Sequence, residues 1–509
     1  MKKLHDIFLS KYRDGLIIHF FFTLTCLTYL IGIQTASALE QSSKVNPFAV
    51  NNGNIPSQSE YDGPLYQFNY KYPTSVQTLT DTNSPWTKVL KGKPLTKQNA
   101  HAYIEALKKH VGKDMRTFIT KPRQWNQQSN PNWYGMLWAG DNVNLSGWEG
   151  RDAIAGTYTG QILPASTYKD SGLKVNIRNH AAIYYDKTAA YSLHQVWKKC
   201  NPATLTCPPS INNNEAQFKE GAIVIKAAGA TASPTEWPVM KGSAKWQIYR
   251  RPFNLKGTIK DKPPVVTDIH IAIFDIIVKD SIASPETGWV FTTLVYDKNA
   301  SGKDAWDKMV PFGAMWGNDP AVNSAKNPDQ PLMETYVNPK APAYSKVTLG
   351  YGGRLSGPFD IAVKYDVLVD GKSVKALPSS SCMSCHGTSS HHTKNYKGVT
   401  FFYPAKMPLS TPWNMYAPGS AEWNEWFQNR PGTEPQNKSP GVIALDYSTF
   451  LTEVLMNYAA TQSKPVKDKA IPSTKAKKSL STPNGDIQSQ SLEEDFWATW
   501  RSWQKARRH

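Results

Sequence analysis

Cysteine is scarce in this sequence, with five residues among 509, and acidic side chains are outnumbered by basic ones, 40 to 58. So few cysteines exclude a disulfide-dense miniprotein. Disorder throughout the chain is excluded as well, because 40% of the residues are apolar and 12% are aromatic. No helix-turn-helix, zinc-finger or RNA-binding signature is found. The length leaves room for two or three folded domains.

The first forty residues have the three parts of a secretory signal peptide. A basic start is followed by the apolar run 16–33 and by Ala36 and Ala38, the small residues of an A-x-A cleavage site. We predict that residues 1–38 are removed after Ala38 and that the protein is periplasmic or secreted, from a bacterium. The run of about 18 residues also reaches the length of a membrane span, so an uncleaved anchor is the alternative.

The positive charge therefore has to be interpreted outside the cytoplasm. The formal net charge is +18, and removal of residues 1–38 takes away four basic and two acidic residues, which leaves +16. A basic exported surface attracts acidic proteins and anionic lipid or polysaccharide surfaces. We expect an acidic protein partner and no nucleic acid.

The segment Cys382-Met383-Ser384-Cys385-His386 is the Cys-x-x-Cys-His pattern of c-type haem attachment. Two thiols at this spacing add across two vinyl groups on one side of a haem, and the next residue is then held under the iron as a ligand. The pattern arises by chance in about one in a thousand such sequences. We predict one covalent haem c on Cys382 and Cys385, with His386 bound to its iron.

Two other chemistries also use a Cys-x-x-Cys pair. A thioredoxin-like redox dithiol is found near a βαβ pattern, whereas a Gly/Ser/His-rich loop flanks this motif. A Cys₂His₂ zinc site could use His391 and His392. The signal peptide favours haem, because haem is attached covalently in an oxidising space outside the cytoplasm.

The sixth iron ligand is left open by the sequence. Met407 is followed by proline, and this Lys-Met-Pro triplet resembles the axial-methionine loop of many cytochromes c, so Met407 is the leading candidate. Met415 lies in a similar proline-flanked loop. His391 or His392 would give a bis-histidine haem, and an open position is the remaining alternative.

Cys200 and Cys207 form a separate pair, for which we predict a local disulfide because exported proteins keep such bonds. On the chain-entropy estimate a ring of about eight residues contributes about 2.5 kcal/mol. Two free thiols are the alternative. The fifth cysteine, Cys26, leaves with the signal peptide.

The distribution of apolar, β-branched and polar residues predicts an α+β fold. An antiparallel β-rich region is followed by a C-terminal c-type haem module with short helices. Residues 39–125 are polar with one helix from near Thr96, residues 126–340 are β-rich, and residues 341–461 carry the haem motif. Strands are predicted at 221–228, 265–280 and 288–297, with a strand pair at 180–186 and 191–197, and helices are predicted at 421–430 and 445–460.

Two further segments close the chain. Residues 462–490 are rich in Lys, Ser and Pro, which predicts a flexible basic linker. Residues 491–509 begin with a capping box and place Phe496, Trp500 and Trp503 on one face, which predicts an amphipathic helix. Such a helix can dock on protein, which we favour, or on a membrane surface.

The CMSCH motif resembles the c-type cytochromes over about thirty residues. The segments GAMWGNDP and SCMSCHG are similar to large exported bacterial proteins of cytochrome c type. The spacing from Gly221 to Lys226, IVKD at 277–280 and TGWVF at 287–291 resemble the cytochrome P460 and cytochrome c′-β group. That resemblance implies an antiparallel β fold that binds small nitrogen ligands. In the P460 members a lysine–haem cross-link serves hydroxylamine oxidation, and Lys226 matches that lysine only by position.

Three functions follow from these patterns. The first is a secreted or periplasmic monohaem cytochrome that transfers electrons to or from an acidic redox partner. The second is a haem enzyme or a protein binding NO or hydroxylamine at an open distal site, with Asp275 or His270 as acid/base candidates. The third is a binding module in which haem is structural and an aromatic surface contacts the partner.

Overall fold

The computed structural model of the chain describes residues 45–67, 69–76, 84–125, 130–141, 149–212, 214–357, 366–375, 377–394, 404–406 and 412–462. From Asn46 onward these residues belong to one compact unit. The predicted signal peptide, basic linker, C-terminal helix and Met407 lie outside the described residues. Within the described ranges, no helix has the length and apolarity needed to cross a membrane.

An eight-stranded antiparallel sheet forms the centre of the fold, which confirms the mixed α and β content and the antiparallel β region. The strand order is β1-β2-β3-β7-β8-β9-β10, and β4 pairs with residues 265–270 of β7. These strands are β1 (Tyr158–Leu163), β2 (Ile177–Tyr185), β3 (Ile223–Ala230), β4 (Lys245–Arg250), β7 (Val265–Lys279), β8 (Trp289–Tyr296), β9 (Met309–Met315) and β10 (Thr335–Val337).

One face of this sheet packs against a long helix. After the short helix α1 (Thr87–Leu90), the helix predicted from near Thr96 begins at Ala100 and ends at Thr120 as α2. Its buried residues recur every four positions, so they form one apolar stripe. The stripe consists of Tyr103, Leu107, Val111 and Met115. It packs in one core with alternate side chains of β3, β7 and β8.

The prediction of a strand at 191–197 is wrong, because that segment forms the end of helix α3 (Lys187–Trp197). The side chain of Asp186 accepts a hydrogen bond from the backbone N–H of Ala189 at 2.8 Å, which caps the helix. The Lys-Thr-Ala-Ala segment that predicted a hairpin turn is therefore the first helical turn. The partner segment, 180–186, is a strand as predicted and belongs to β2.

The remaining elements are short and surround the Cys-x-x-Cys-His motif. Helices are present within both segments predicted to be helical near the end of the described chain. Strands β11, β12 and β14 form one small sheet, β13 pairs with β15, and β5 pairs with β6. These elements are β5 (Phe253–Asn254), β6 (Gly257–Thr258), β11 (Val367–Val369), β12 (Lys372–Val374), α4 (Cys382–His386), β13 (Ser390–His392), β14 (Asn414–Met415), α5 (Ala421–Trp426), β15 (Val442–Ala444) and α6 (Thr449–Gln462).

Cys200 and Cys207 are joined in a disulfide just after α3, in agreement with the predicted pairing. Their Cα atoms are 3.9 Å apart. The backbone carbonyl of Cys207 also accepts a hydrogen bond from the indole N–H of Trp138 at 2.9 Å. The bridge therefore closes a local loop that is tied to the protein core.

Candidate functional site

The motif Cys-x-x-Cys-His is a five-residue helix, α4, whose start is fixed by a capping box. The Ser381 hydroxyl accepts from the N–H of Ser384 at 2.9 Å, and the Ser384 hydroxyl accepts from the N–H of Ser381 at 2.8 Å. A helix this short does not persist by itself, so these caps and tertiary contacts hold it. The Ser381 hydroxyl also donates to the side-chain oxygen of Asn318.

A buried arginine holds the loop that reaches this cap. Arg354 has no exposed surface. Its guanidinium donates to the backbone carbonyls of Asn318 at 2.7 Å, Asp319 at 2.9 Å, Val322 at 3.1 Å and Tyr351 at 2.9 Å. The loop 318–322 is thereby fixed against the start of α4.

The ring of His386 is oriented by a backbone carbonyl far along the chain. Its Nδ1 lies 2.8 Å from the carbonyl oxygen of Tyr447, 61 residues away. A carbonyl oxygen only accepts, so Nδ1 carries the hydrogen and Nε2 of the neutral ring keeps its lone pair. Burial lowers the pKa of His386 to about 4, with the Tyr447 hydrogen bond opposing this shift and the Lys226 charge adding to it. The ring is therefore neutral at pH 7.

Tyr447 follows Asp446, and both residues have left-handed backbone conformations, with φ of 64° and 47°. Asp446 is almost fully buried, and its carboxylate accepts three hydrogen bonds. The donors are Lys279 Nζ at 2.6 Å, Trp289 Nε1 at 2.7 Å and the backbone N–H of Phe218 at 2.8 Å. Two of these donors come from β7 and β8, so the carbonyl that accepts from His386 is anchored to the main sheet.

Three successive cross-strand residue pairs on one side of β7 and β8 are directed toward the Cys-x-x-Cys-His helix and the segment that contacts it. Their side chains lie on the same side because strand residues two apart point the same way. The first pair binds Asp446, and the second contains the ring that contacts His386, at 4.7 Å between ring centroids. The pairs are Lys279 with Trp289, Ile277 with Phe291, and Asp275 with Thr293, and Lys226 of β3 lies directly opposite Asp275.

The third pair is polar and acts electrostatically on Cys382. Lys226 Nζ lies 3.6 Å from a carboxylate oxygen of Asp275, and the other carboxylate oxygen accepts from the Thr293 hydroxyl at 2.8 Å. Apolar neighbours on this face, Ile183 and Ile277, are only partly buried although they lie on inner strands of the sheet. The part of this face around Ile183 and Ile277 is therefore accessible and apolar, and it adjoins a polar row formed by Lys226, Asp275 and Thr293.

Among the described cysteines, Cys382 and Cys385 remain thiols, and both are partly buried. Burial and the charge of Asp275 raise the pKa of the Cys382 thiol to about 12, while Lys226 opposes the shift. Reactive dithiols of the thioredoxin kind need a lowered thiol pKa. This environment therefore disfavours the redox-dithiol alternative.

Cys385 packs against a cluster of aromatic residues that also contains Met415. Met415 is fully buried in β14, where it pairs with Val369 of β11. The structure thus brings one of the two candidate methionine ligands into the apolar cluster beside the motif. The buried aromatic members of the cluster are Tyr351, Trp423, Trp426 and Phe427.

His391 and His392 lie on strand β13, which pairs with β15. His391 is fully buried, and burial lowers its pKa to about 3. Within the part of the chain that the structure describes, no three His, Cys, Asp or Glu side chains are placed to hold a metal ion. The zinc alternative, which would need both cysteines and these histidines, is not formed there.

No protein-family model, curated protein or solved structure matches this chain. The site therefore has to be interpreted from its own residues. Two segments singled out in the sequence, IVKD at 277–280 and TGWVF at 287–291, supply the side chains that bind Asp446 and contact His386.

Sequence reasoning placed some of the remaining residues and missed others. Asp275 lies in the polar row beside Cys382, whereas His270 contacts the Ser243 hydroxyl at 3.1 Å, closer to the start of β7. The roles of Asp446 and Tyr447 were not predicted. Their only sequence signal was the segment LDYS, which gives no indication that a carbonyl there faces His386.

Proposed function

We propose that the protein is a secreted or periplasmic monohaem c-type cytochrome that transfers electrons. The observation that carries this proposal is the hydrogen bond from His386 Nδ1 to the Tyr447 carbonyl in a Cys-x-x-Cys-His helix. Metal-ligating histidines almost always donate their other ring N–H to a carbonyl, a carboxylate or water, which fixes the tautomer and the ring orientation. The neutral ring has Nε2 available for iron.

Covalent attachment would use Cys382 and Cys385. Cys382 and Cys385 are both thiols on one short helix. Addition of each S–H across a vinyl group forms one carbon–sulfur bond and moves the hydrogen to the second vinyl carbon, so no oxidant is consumed. The accessible apolar face of β2, β3 and β7 is a suitable surface for a porphyrin. Haem c, when bound, supplies a one-electron couple at its iron.

The charge of the chain fits such a carrier. A net charge of +18, or +16 after removal of the predicted signal peptide, steers acidic partners and raises association rates in a salt-sensitive way. We propose an acidic redox partner. Attachment to a membrane surface through the signal anchor or the C-terminal helix stays part of this proposal.

Mass and spectrum of the mature protein test the proposal. The full chain is produced with haem-maturation machinery, and we expect the intact mass to increase by one haem that survives denaturation. A closed six-coordinate haem should leave the reduced spectrum unchanged by CO, and a methionine ligand should give a near-infrared band in the ferric form. A wild-type mass without haem under competent maturation would overturn the proposal.

Two methionine variants then identify the sixth ligand. Met407→Ala is expected to remove the near-infrared band if Met407 is the ligand. Met415→Ala would also disturb the aromatic cluster, so Met415→Leu is the matched control that preserves packing without a sulfur. Loss of the band in both Met415 variants, with Met407→Ala unaffected, would identify Met415 instead.

The polar row of the sheet favours a second function, which is binding of a small ligand at an open iron position. Lys226, Asp275 and Thr293 form a polar row on this face, and the charges of Asp275 and Lys226 act on Cys382. An ammonium and a carboxylate 3.6 Å apart suit small polar ligands such as NO or hydroxylamine. Ready binding of CO to the reduced protein would favour this function over electron transfer.

Variants of the polar row separate the two functions. If the row contacts bound ligand, Lys226→Met and Asp275→Asn should each change hydroxylamine affinity about tenfold, the effect of losing one hydrogen bond to a charged group. The matched control is Lys245→Met with Asp268→Asn, an exposed pair 3.0 Å apart on β4 and β7. Equal affinities in all variants would rule out a ligand-binding role for the row.

A further inference from the structure

The backbone at Asp446 and Tyr447 is held in a conformation that L-residues rarely adopt. Two consecutive non-glycine residues have positive φ, 47° and 64°. Such conformations persist only where the surroundings determine them, and they concentrate at functional sites. Here the result of the unusual backbone is that the Tyr447 carbonyl points to Nδ1 of His386, at 2.8 Å.

The carboxylate of Asp446 connects this segment to the rest of the protein. It is 1% exposed and accepts hydrogen bonds from three separate segments of the chain. Lys279 Nζ and Trp289 Nε1 both donate to one oxygen, from facing positions on β7 and β8, and the N–H of Phe218 donates to the other. The Tyr447 hydroxyl adds a fourth connection by donating to the Arg430 carbonyl at 2.7 Å.

We propose that Asp446 is a positioning residue that sets the reduction equilibrium of the haem iron. This inference rests on the proposed haem site. Through Tyr447, Asp446 keeps the hydrogen bond to His386 Nδ1 short, and that bond raises the electron density of the imidazole. An electron-rich ligand stabilises ferric iron, so Asp446 shifts the ferric–ferrous equilibrium toward the ferric state. Lys279, Trp289 and Phe218 act by holding Asp446.

Two variants of the holoprotein test this role. Asp446→Asn should loosen the Tyr447 carbonyl and move the equilibrium about tenfold toward ferrous iron, which is about 59 mV for a one-electron couple. That variant also removes a negative charge, which by itself shifts the equilibrium the same way. Trp289→Phe removes one hydrogen bond to Asp446 without any change of charge, and we expect a smaller shift in the same direction.

The matched control is Trp246→Phe. Trp246 is 1% exposed, lies on the same sheet and donates one hydrogen bond, to the Ile119 carbonyl at 3.0 Å, away from His386. Trp246→Phe therefore removes the same side-chain volume and one indole hydrogen bond, in this case to a neutral carbonyl. We expect its reduction equilibrium to equal that of the wild type.

A second measurement follows the hydrogen bond itself. The Nδ1–H of His386 should exchange with solvent faster in Asp446→Asn and Trp289→Phe than in the wild type, as measured by nuclear magnetic resonance. An unchanged equilibrium in Trp289→Phe, or unchanged exchange in both variants, would overturn the inference. Failure of the haem proposal is seen separately, because the wild-type mass would then lack the haem.

Discussion

Replacing Cys382 and Cys385 together with alanine is expected to abolish covalent haem attachment completely. In the proposed haem site both thioether bonds come from these thiols. The capping box of α4 uses Ser381 and Ser384, so the helix itself should persist. Each single variant keeps one thiol and should retain haem through one bond, in lower yield. The measurement is the intact mass after denaturation, with haem staining of the same samples.

Cys200→Ser with Cys207→Ser is the matched control for this result. It removes the same number of sulfur atoms from the disulfide elsewhere in the chain. We expect full haem attachment and a loss of stability of about 2.5 kcal/mol, as estimated for a ring of that size. Haem that stays attached in the Cys382 and Cys385 double variant would contradict the assignment of the motif.

His386→Ala should leave the thioether bonds of the proposed haem intact but remove one ligand of its iron. Without the imidazole, the low-spin spectrum should be lost and the haem should bind added imidazole. We expect this separation because, in the proposed site, the imidazole and the two thiols are separate side chains of α4. An unchanged spectrum would show that another residue binds the iron.

Arg354→Met is expected to lower the free energy of unfolding by roughly 3–5 kcal/mol. The variant leaves the carbonyls of Asn318, Asp319 and Val322 buried without their donor, and each unsatisfied carbonyl costs about 1–3 kcal/mol. Loss of the fixed loop also weakens the contact from Asn318 to Ser381 at the start of α4. Unfolding in guanidinium chloride and the yield of attached haem are the two measurements.

The comparison variant for Arg354 is Arg251→Met. Arg251 also donates to backbone carbonyls, those of Lys260 and Lys262, but it does so at the surface. Water can replace those bonds, so we expect a change within about 0.5 kcal/mol. A loss below about 1 kcal/mol in Arg354→Met would show that the buried arginine is not needed to hold the loop.

The parts of the site that could be predicted from sequence are those with local chemistry. The spacing of Cys382, Cys385 and His386 is a property of five consecutive residues, and strands β3, β7 and β8 have continuous β-branched and aromatic sequence. Helix α2 follows from its four-residue apolar repeat. These signals do not depend on how the chain is arranged in space.

The parts that were missed depend on distant partners. The hydrogen bond from His386 joins residues 61 apart, and the Asp446 carboxylate beside Tyr447 accepts hydrogen bonds from donors on β7 and β8. Helix α3 was mistaken for a strand, and its capping residue Asp186 also accepts a hydrogen bond from the backbone N–H of Ile223, 37 residues away, at 3.0 Å. Tertiary contacts of this kind override local sequence preference.

The position of α4 along the chain has a consequence for biogenesis. In the proposed export the chain crosses the membrane from its N-terminus, so the strands of the main sheet, which end at Val337, are outside before Cys382. Tyr447 emerges 61 residues after His386 and supplies the last contact to its ring. If haem is attached as proposed, the two thiols are thus outside before Tyr447 fixes the histidine, which leaves an interval in which haem-attachment enzymes can reach them. A chain truncated before Asp446 would keep that interval open.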